Sequence, residues 1–187
     1  VGSIGAGVFG SARLGVGLYI IHVLAAAITG LFFRVDGKCR GNAPAAPRES
    51  GGALIESVRQ AAQSILSVCG FIVCFCVIIG LLDAHGMFSL LAGQLAQITG
   101  LELHAARAVL SGFLELGSGI GAMRGLAVSP ANLAIAAGIV GWGGVSVHFQ
   151  TYAVLADSDI KGGLHLAGRL INCAVSATLG YIFGLLL

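Results

Sequence analysis

Charge is what this sequence has least of. Only 10% of its 187 residues are Asp, Glu, Lys or Arg, while 57% are hydrophobic and the mean hydropathy is +0.96. An ordinary soluble domain carries about 25% charged residues, so that class is excluded and a polytopic membrane protein is expected. The net charge of +2 is small, and the basic residues are not interleaved with aromatics, which excludes nucleic acid as a partner. Proline is scarce: Pro44 and Pro47 lie in one polar stretch and Pro130 stands at the start of an apolar run. The five cysteines imply no disulfide framework. Cys69, Cys74 and Cys76 share one apolar run, but on a helix Cys74 and Cys76 point apart, so packing is preferred over a metal site. No H-E-x-x-H, G-x-S-x-G or C-x-x-C motif occurs, and the histidines sit on different segments without carboxylates at ligand spacing. The chain is therefore not read as an enzyme, and no catalytic residue, metal or cofactor is assigned.

What is present is a series of apolar runs interrupted by glycine. The chain opens at Val1 inside a glycine-rich run with no signal-peptide pattern, and is read as a fragment whose N-terminal part is missing. Leu14 to Phe33 is a first span, and residues 1–34 together are read as the end of a first repeat. Residues 35–53 form a polar linker. Five of the ten Lys and Arg residues (Arg34, Lys38, Arg40, Arg48, Arg59) lie in or beside it, which places it in the cytoplasm. Residues 54–187 form the second unit: a helix over 58–82, an interfacial amphipathic helix over 87–98, a hairpin over 102–127, a broken helix over 130–156 and a last helix over 163–187. The hairpin is read as re-entrant because Gly112, Gly117, Ser118, Gly119 and Gly121 surround Glu115; the alternative is a complete span, which inverts all that follows. Ser129 and Pro130 suit the cap and first position of the broken helix. Asp157, Asp159 and Lys161 make a polar turn after it. The fold class is thus all-α, with about four membrane-crossing helices, one interfacial helix and one hairpin.

The stretch Gly141-Trp142-Gly143-Gly144-Val145-Ser146-Val147-His148-Phe149-Gln150 lies inside an apolar run long enough to cross a bilayer. Irregular backbone at membrane depth persists only where protein or a polar cavity covers it. A break near Gly143-Gly144, with a helix restarting at Val145 or Ser146, is therefore expected to line a site. Glu115 is the one carboxylate well inside an apolar segment, at a cost of roughly 2.5–3.5 kcal/mol. It serves either a substrate or proton site at the hairpin tip or an ion pair with Arg107, Arg124 or Arg169. Helix N-termini near Ser118-Gly119 and Val145-Ser146 favour an anionic ligand group. His148 and Gln150 diverge on a helix, so one of the two is structural. His148 either contacts ligand or bonds between helices, His22 is read as structural, and His85, His104 and His165 are placed at the interface.

Phe113-Leu114-Glu115-Leu116-Gly117-Ser118-Gly119, Gly143 to Gln150, and Gly7-Val8-Phe9-Gly10 followed by Leu14-Gly15 and His22 resemble the sporulation integral membrane proteins of the YlbJ (SpoVV) type, in the nucleoside-recognition or Gate domain group. The resemblance implies a bacterial membrane protein that moves dipicolinate from the mother cell toward the forespore, in the mother-cell-derived membrane. The order of elements is also similar to one half of the concentrative nucleoside transporters, an inverted-repeat architecture. The substrate site expected is Glu115, Ser118, Gly119, Trp142, Ser146, His148 and Gln150, with Trp142 stacking on a planar ring. The partners expected are a small-molecule anion, the lipid bilayer and the missing N-terminal half, and a homo-oligomer is compatible. A nucleoside or nucleobase carrier and a non-transporting membrane scaffold are the alternatives.

Overall fold

A computed structural model describes residues 2–33, 50–155 and 162–187. Most of the linker expected at 35–53 and the turn at Asp157–Lys161 lie outside the described residues. The described residues form helices and connecting turns, without strands. In chain order they are α1 (Gly2–Phe9), α2 (Ala12–Phe32), α3 (Ser50–Ala84), α4 (Met87–Thr99), α5 (Leu103–Leu114), α6 (Leu116–Ala122), α7 (Pro130–Trp142), α8 (Gly144–Leu155) and α9 (Gly162–Leu185). Four helical stretches are long and apolar enough to cross a membrane: Ala12–Phe32, Gly52–Ala84, Pro130–Ala153 and Gly162–Leu185. The protein is an all-α polytopic membrane protein.

The centre of the bundle is the pair α7 and α9, which run antiparallel and meet through small residues. A Cβ added to Gly184 would lie 2.5 Å from Pro130 Cα, one on Gly180 would lie 2.7 Å from Leu133 O, and one on Gly141 would lie 2.9 Å from Asn172 O. Gly138 sits against Ala177 at 3.4 Å by the same measure. Lipid tails are as apolar as leucine, so helices in a bilayer associate through close packing rather than hydrophobic transfer, and small residues permit the approach. Around this pair α2 packs on α9, where Gly17 accommodates the ring of Phe183, and α5 packs on α7, where Gly112 accommodates Ile139. Leu18, Ile21, Met123, Leu133, Ala136 and Ile139 form part of the buried core between them.

Helix α3 stands apart, most of its length exposed. At about 1.5 Å per residue its 35 residues extend roughly 52 Å, well beyond a hydrocarbon core of about 30 Å. It begins earlier than the expected residue 58 because its first turns support themselves. Arg59 donates to both oxygens of Glu56 (2.9 and 3.0 Å), Gln60 donates to Glu56, and Ser57 bonds the carbonyl of Ala53. Cys69, Cys74 and Cys76 are exposed on this helix rather than packed in the core. Between two left-handed glycines, Gly86 (φ 72°) and Gly100 (φ 71°), α4 buries Phe88 and Ala92 and leaves Leu90 and Ile98 exposed. Arg107 of α5 ties this corner by donating to Asp83 (2.8 Å) and Ser89 (2.7 Å).

Helices α5 and α6 double back on each other. A Cβ on Gly119 would fall 2.2 Å from Gly112 Cα, so only glycine permits the crossing. The broken helix parts at Gly143 (φ 87°) and Gly144 (φ 82°), and α8 resumes at Gly144 itself. Two successive left-handed residues disfavour any side chain. Gly144 also lies against the other break, since its added Cβ would sit 2.9 Å from Leu116 N and 3.2 Å from Glu115 Cα. Gly144→Ala should therefore lower unfolding free energy by about 2 kcal/mol or more. Gly93→Ala, in open space within α4, should leave it unchanged or raise it slightly; thermal unfolding in detergent compares the two.

Candidate functional site

The two helix breaks meet at the site. Glu115 adopts extended backbone (φ −143°, ψ 125°) between α5 and α6 and is 4% exposed. Its carboxylate caps α6, accepting from the backbone N–H of Gly117 at 2.8 Å and of Ser118 at 2.5 Å. Among the described residues the ion pairs are Arg59–Glu56 and Arg107–Asp83, so neither Arg107, Arg124 nor Arg169 pairs with Glu115. The positive end of α6, expected to receive a ligand carboxylate, is occupied by the protein's own. A buried carboxylate with charge-assisted bonds to two amides at a helix N-terminus needs no cation.

Opposite this cap, Trp142 ends α7. Its indole N–H donates to Phe113 O at 3.0 Å, a carbonyl in the last turn of α5, and its ring stacks on Phe113 at 5.5 Å with planes 7° apart. The planar contact expected for a ligand is thus made by Phe113. The imidazole of His148 lies 4.3 Å from the indole centroid, and His148 Nδ1 is 3.2 Å from Nε2 of His165. Tyr152 meets His165 edge to face at 5.5 Å. An aromatic chain from Phe113 to Tyr152 therefore lines one side of the broken helix.

The other expected residues separate. The Ser118 hydroxyl lies 3.5 Å from Cys76 Sγ, on the side of α3. Gly119 is consumed by the contact with Gly112. Gln150 points away from His148, as helical spacing requires, and joins Gln60, Gln63, Ser64 and Ser67 around a cavity of about 430 Å³ between α3 and α8. Phe149 beside it stacks on Phe71. Trp142 and His148 are the expected residues brought together, Glu115 is held close through its backbone, and Ser146 is fully buried on α8 two residues before His148.

Residues that the sequence reading did not assign to the site complete it. His165, Arg169, Asn172 and Ser176 fall at i, i+4, i+7 and i+11 of α9 and form one polar stripe facing the bundle. Asn172 donates to Gly141 O at 3.0 Å, a carbonyl beside the break, and accepts from Thr29 of α2 at 3.3 Å. Ser176 Oγ would lie 2.7 Å from a Cβ on Gly141, and Arg169 Nη1 3.9 Å from one on Gly143. His22 of α2, His148 and His165 all lie within electrostatic reach of Arg169. The signal was legible in the helical spacing, but His165 was placed at the interface and Arg169 was weighed only as a partner of Glu115.

Four buried side-chain atoms among the described residues have no hydrogen-bond partner: His22 Nδ1, Ser146 Oγ, His148 Nε2 and Ser176 Oγ. All belong to this stripe or to the elements around it. Buried polar groups left unpaired cost about 1–3 kcal/mol each, so these four, on α2, α8 and α9, call for an explanation other than packing. No group of three His, Cys, Asp or Glu side chains among the described residues is arranged to hold a metal ion. Comparison with family models, with curated proteins and with solved structures gives no match.

The cap makes a prediction about Glu115. Glu115→Ala should cost about 1–2 kcal/mol of stability, and Glu115→Gln, which keeps one acceptor, should cost less. Chemical or thermal unfolding of the two variants in detergent measures the order.

Proposed function

We propose that this chain acts in the membrane transport of small organic anions. The observation that carries the reading is the meeting of the two helix breaks beside unpartnered, buried Ser146 Oγ and His148 Nε2. Irregular backbone and ionisable side chains at membrane depth mark substrate pathways by default. Contact between two broken elements also supports movement, because a hinge at Gly143-Gly144 shifts the hairpin tip with it. Dipicolinate, moved across the membrane around the forespore in a sporulating bacterium, is the substrate suggested by the resemblance of the hairpin and broken-helix motifs. A carboxylate suits the guanidinium of Arg169, which lies beside the break at Gly143. A nucleoside carrier would use Glu115 and Gln150 to hydrogen-bond the ring, and that reading loses support because Glu115 caps α6 and Gln150 faces α3.

Proteoliposomes carrying the protein should take up dipicolinate and not uridine. Ser146→Ala and His148→Ala should each slow uptake about tenfold or more, equivalent to roughly 1.4 kcal/mol, with unfolding temperatures close to that of the parent. Absence of flux for either solute from folded protein would remove the transport reading.

A further inference from the structure

Between the C-terminal part of α2 and the first turns of α9 lies a cavity of about 330 Å³ that adjoins the break of α7 and α8 through Arg169 and Asn172. Thr29, Phe33, His165, Arg169 and Asn172 are among the residues that line it. We propose that this cavity is an anion subsite in which Arg169, assisted by His165, binds the carboxylate of a small soluble organic acid; the inference rests on the transport reading and names where the substrate's charge is held.

Three observations point to an anion. Arginine keeps its charge in any protein environment and presents a planar fork that matches a carboxylate with two parallel hydrogen bonds. Placing it within a membrane-crossing helix is costly unless it faces a polar cavity or a counter-charge, and this one lines the cavity. His165, one helical turn before it on α9, lines the same cavity and places a ring nitrogen beside the guanidinium's site. A permanently charged guanidinium in an apolar bundle disfavours a cation there and favours an anion.

Thr29 and Asn172 shape the wall and do not compete for the ligand. The Thr29 hydroxyl is given to Asn172, and the Asn172 amide is given to Gly141 O. The volume is that of a small-molecule site, whose usual range is about 300–1,000 Å³. The cavity is also continuous in chemistry with the site. From His165 a hydrogen bond leads to His148, whose Nε2 is buried and unpartnered. The α9 stripe continues from Arg169 through Asn172 to Ser176, whose Oγ is likewise unpartnered. A carboxylate held at Arg169 therefore has polar groups leading inward to the break, which a lipid headgroup anchored at the membrane edge does not need.

The full chain in nanodiscs of zwitterionic lipid provides the test, titrated with pyridine-2,6-dicarboxylate or inorganic phosphate while the imidazole ¹⁵N signals are followed. The dicarboxylate should bind saturably and shift the His165 resonances. Arg169→Gln should weaken binding at least tenfold. Arg169→Lys, which keeps the charge but loses the fork, should weaken it severalfold, and it decides the matter if the glutamine variant does not fold. Gly93→Ala, in open space within α4, should leave this affinity unchanged. Unchanged affinity in both Arg169 variants would overturn the proposal. So would loss of dicarboxylate binding in nanodiscs of anionic lipid in proportion to the lipid charge, because the occupant would then be a headgroup. Arg169-dependent binding without uptake into proteoliposomes would uphold the subsite and remove transport, whereas uptake insensitive to Arg169 would do the reverse.

Discussion

The contact of Gly144 with the backbone of Glu115 and Leu116 is the constraint around which the bundle is arranged. It brings two interruptions in helical structure to the same place, and each interruption makes the other tolerable. In a bilayer neither would survive facing lipid, because unsatisfied amides and carbonyls have no water to turn to. At this junction the Glu115 carboxylate takes two amides of α6, and the Trp142 indole takes the carbonyl of Phe113. Gly143 N–H closes onto Ile139 O at 2.9 Å. Among the described residues, the buried side-chain atoms that stay unpaired are on His22, Ser146, His148 and Ser176.

Close packing of α7 on α9 holds this junction in place. The ladder of Gly184, Gly180, Gly138 and Gly141 against Pro130, Leu133, Ala177 and Asn172 brings two backbones together along the length of α7. The same ladder sets the rotation of α9, and rotation decides which residues point inward. Once Gly180 and Ser176 face α7, helical periodicity carries Asn172, Arg169 and His165 to the same side. The polar stripe and the apolar seam are therefore one feature of α9, continued from one end of the helix to the other.

Helix α3 has a different character. Its contacts are with α4, α5 and α8 rather than with the central pair. Polar groups along it meet Gln150 across the cavity between α3 and α8, and Ser118 meets Cys76. This helix collects the expected site residues that do not reach the junction. Two sides of α8 are thus distinguished: His148 faces the stripe of α9, and Phe149 with Gln150 faces α3.

The sequence by itself determined the class of the molecule, the spans and the positions of the breaks. Scarce charge and long apolar runs leave a membrane as the solvent, and paired glycines at 143–144 and the glycines around Glu115 leave few other places for a helix to part. Local spacing also separated His148 from Gln150. Tertiary structure decided how those breaks are used. Nothing local told Glu115 to turn back onto the amides two and three residues ahead of it; the sequence offered a substrate or proton site, or an arginine elsewhere as its partner, until the hairpin closed. Nor did composition assign His165, Arg169 and Asn172 to the interior, because which face of an apolar helix is inward depends on the partner it packs against. That partner is α7, and only the folded bundle brings it there.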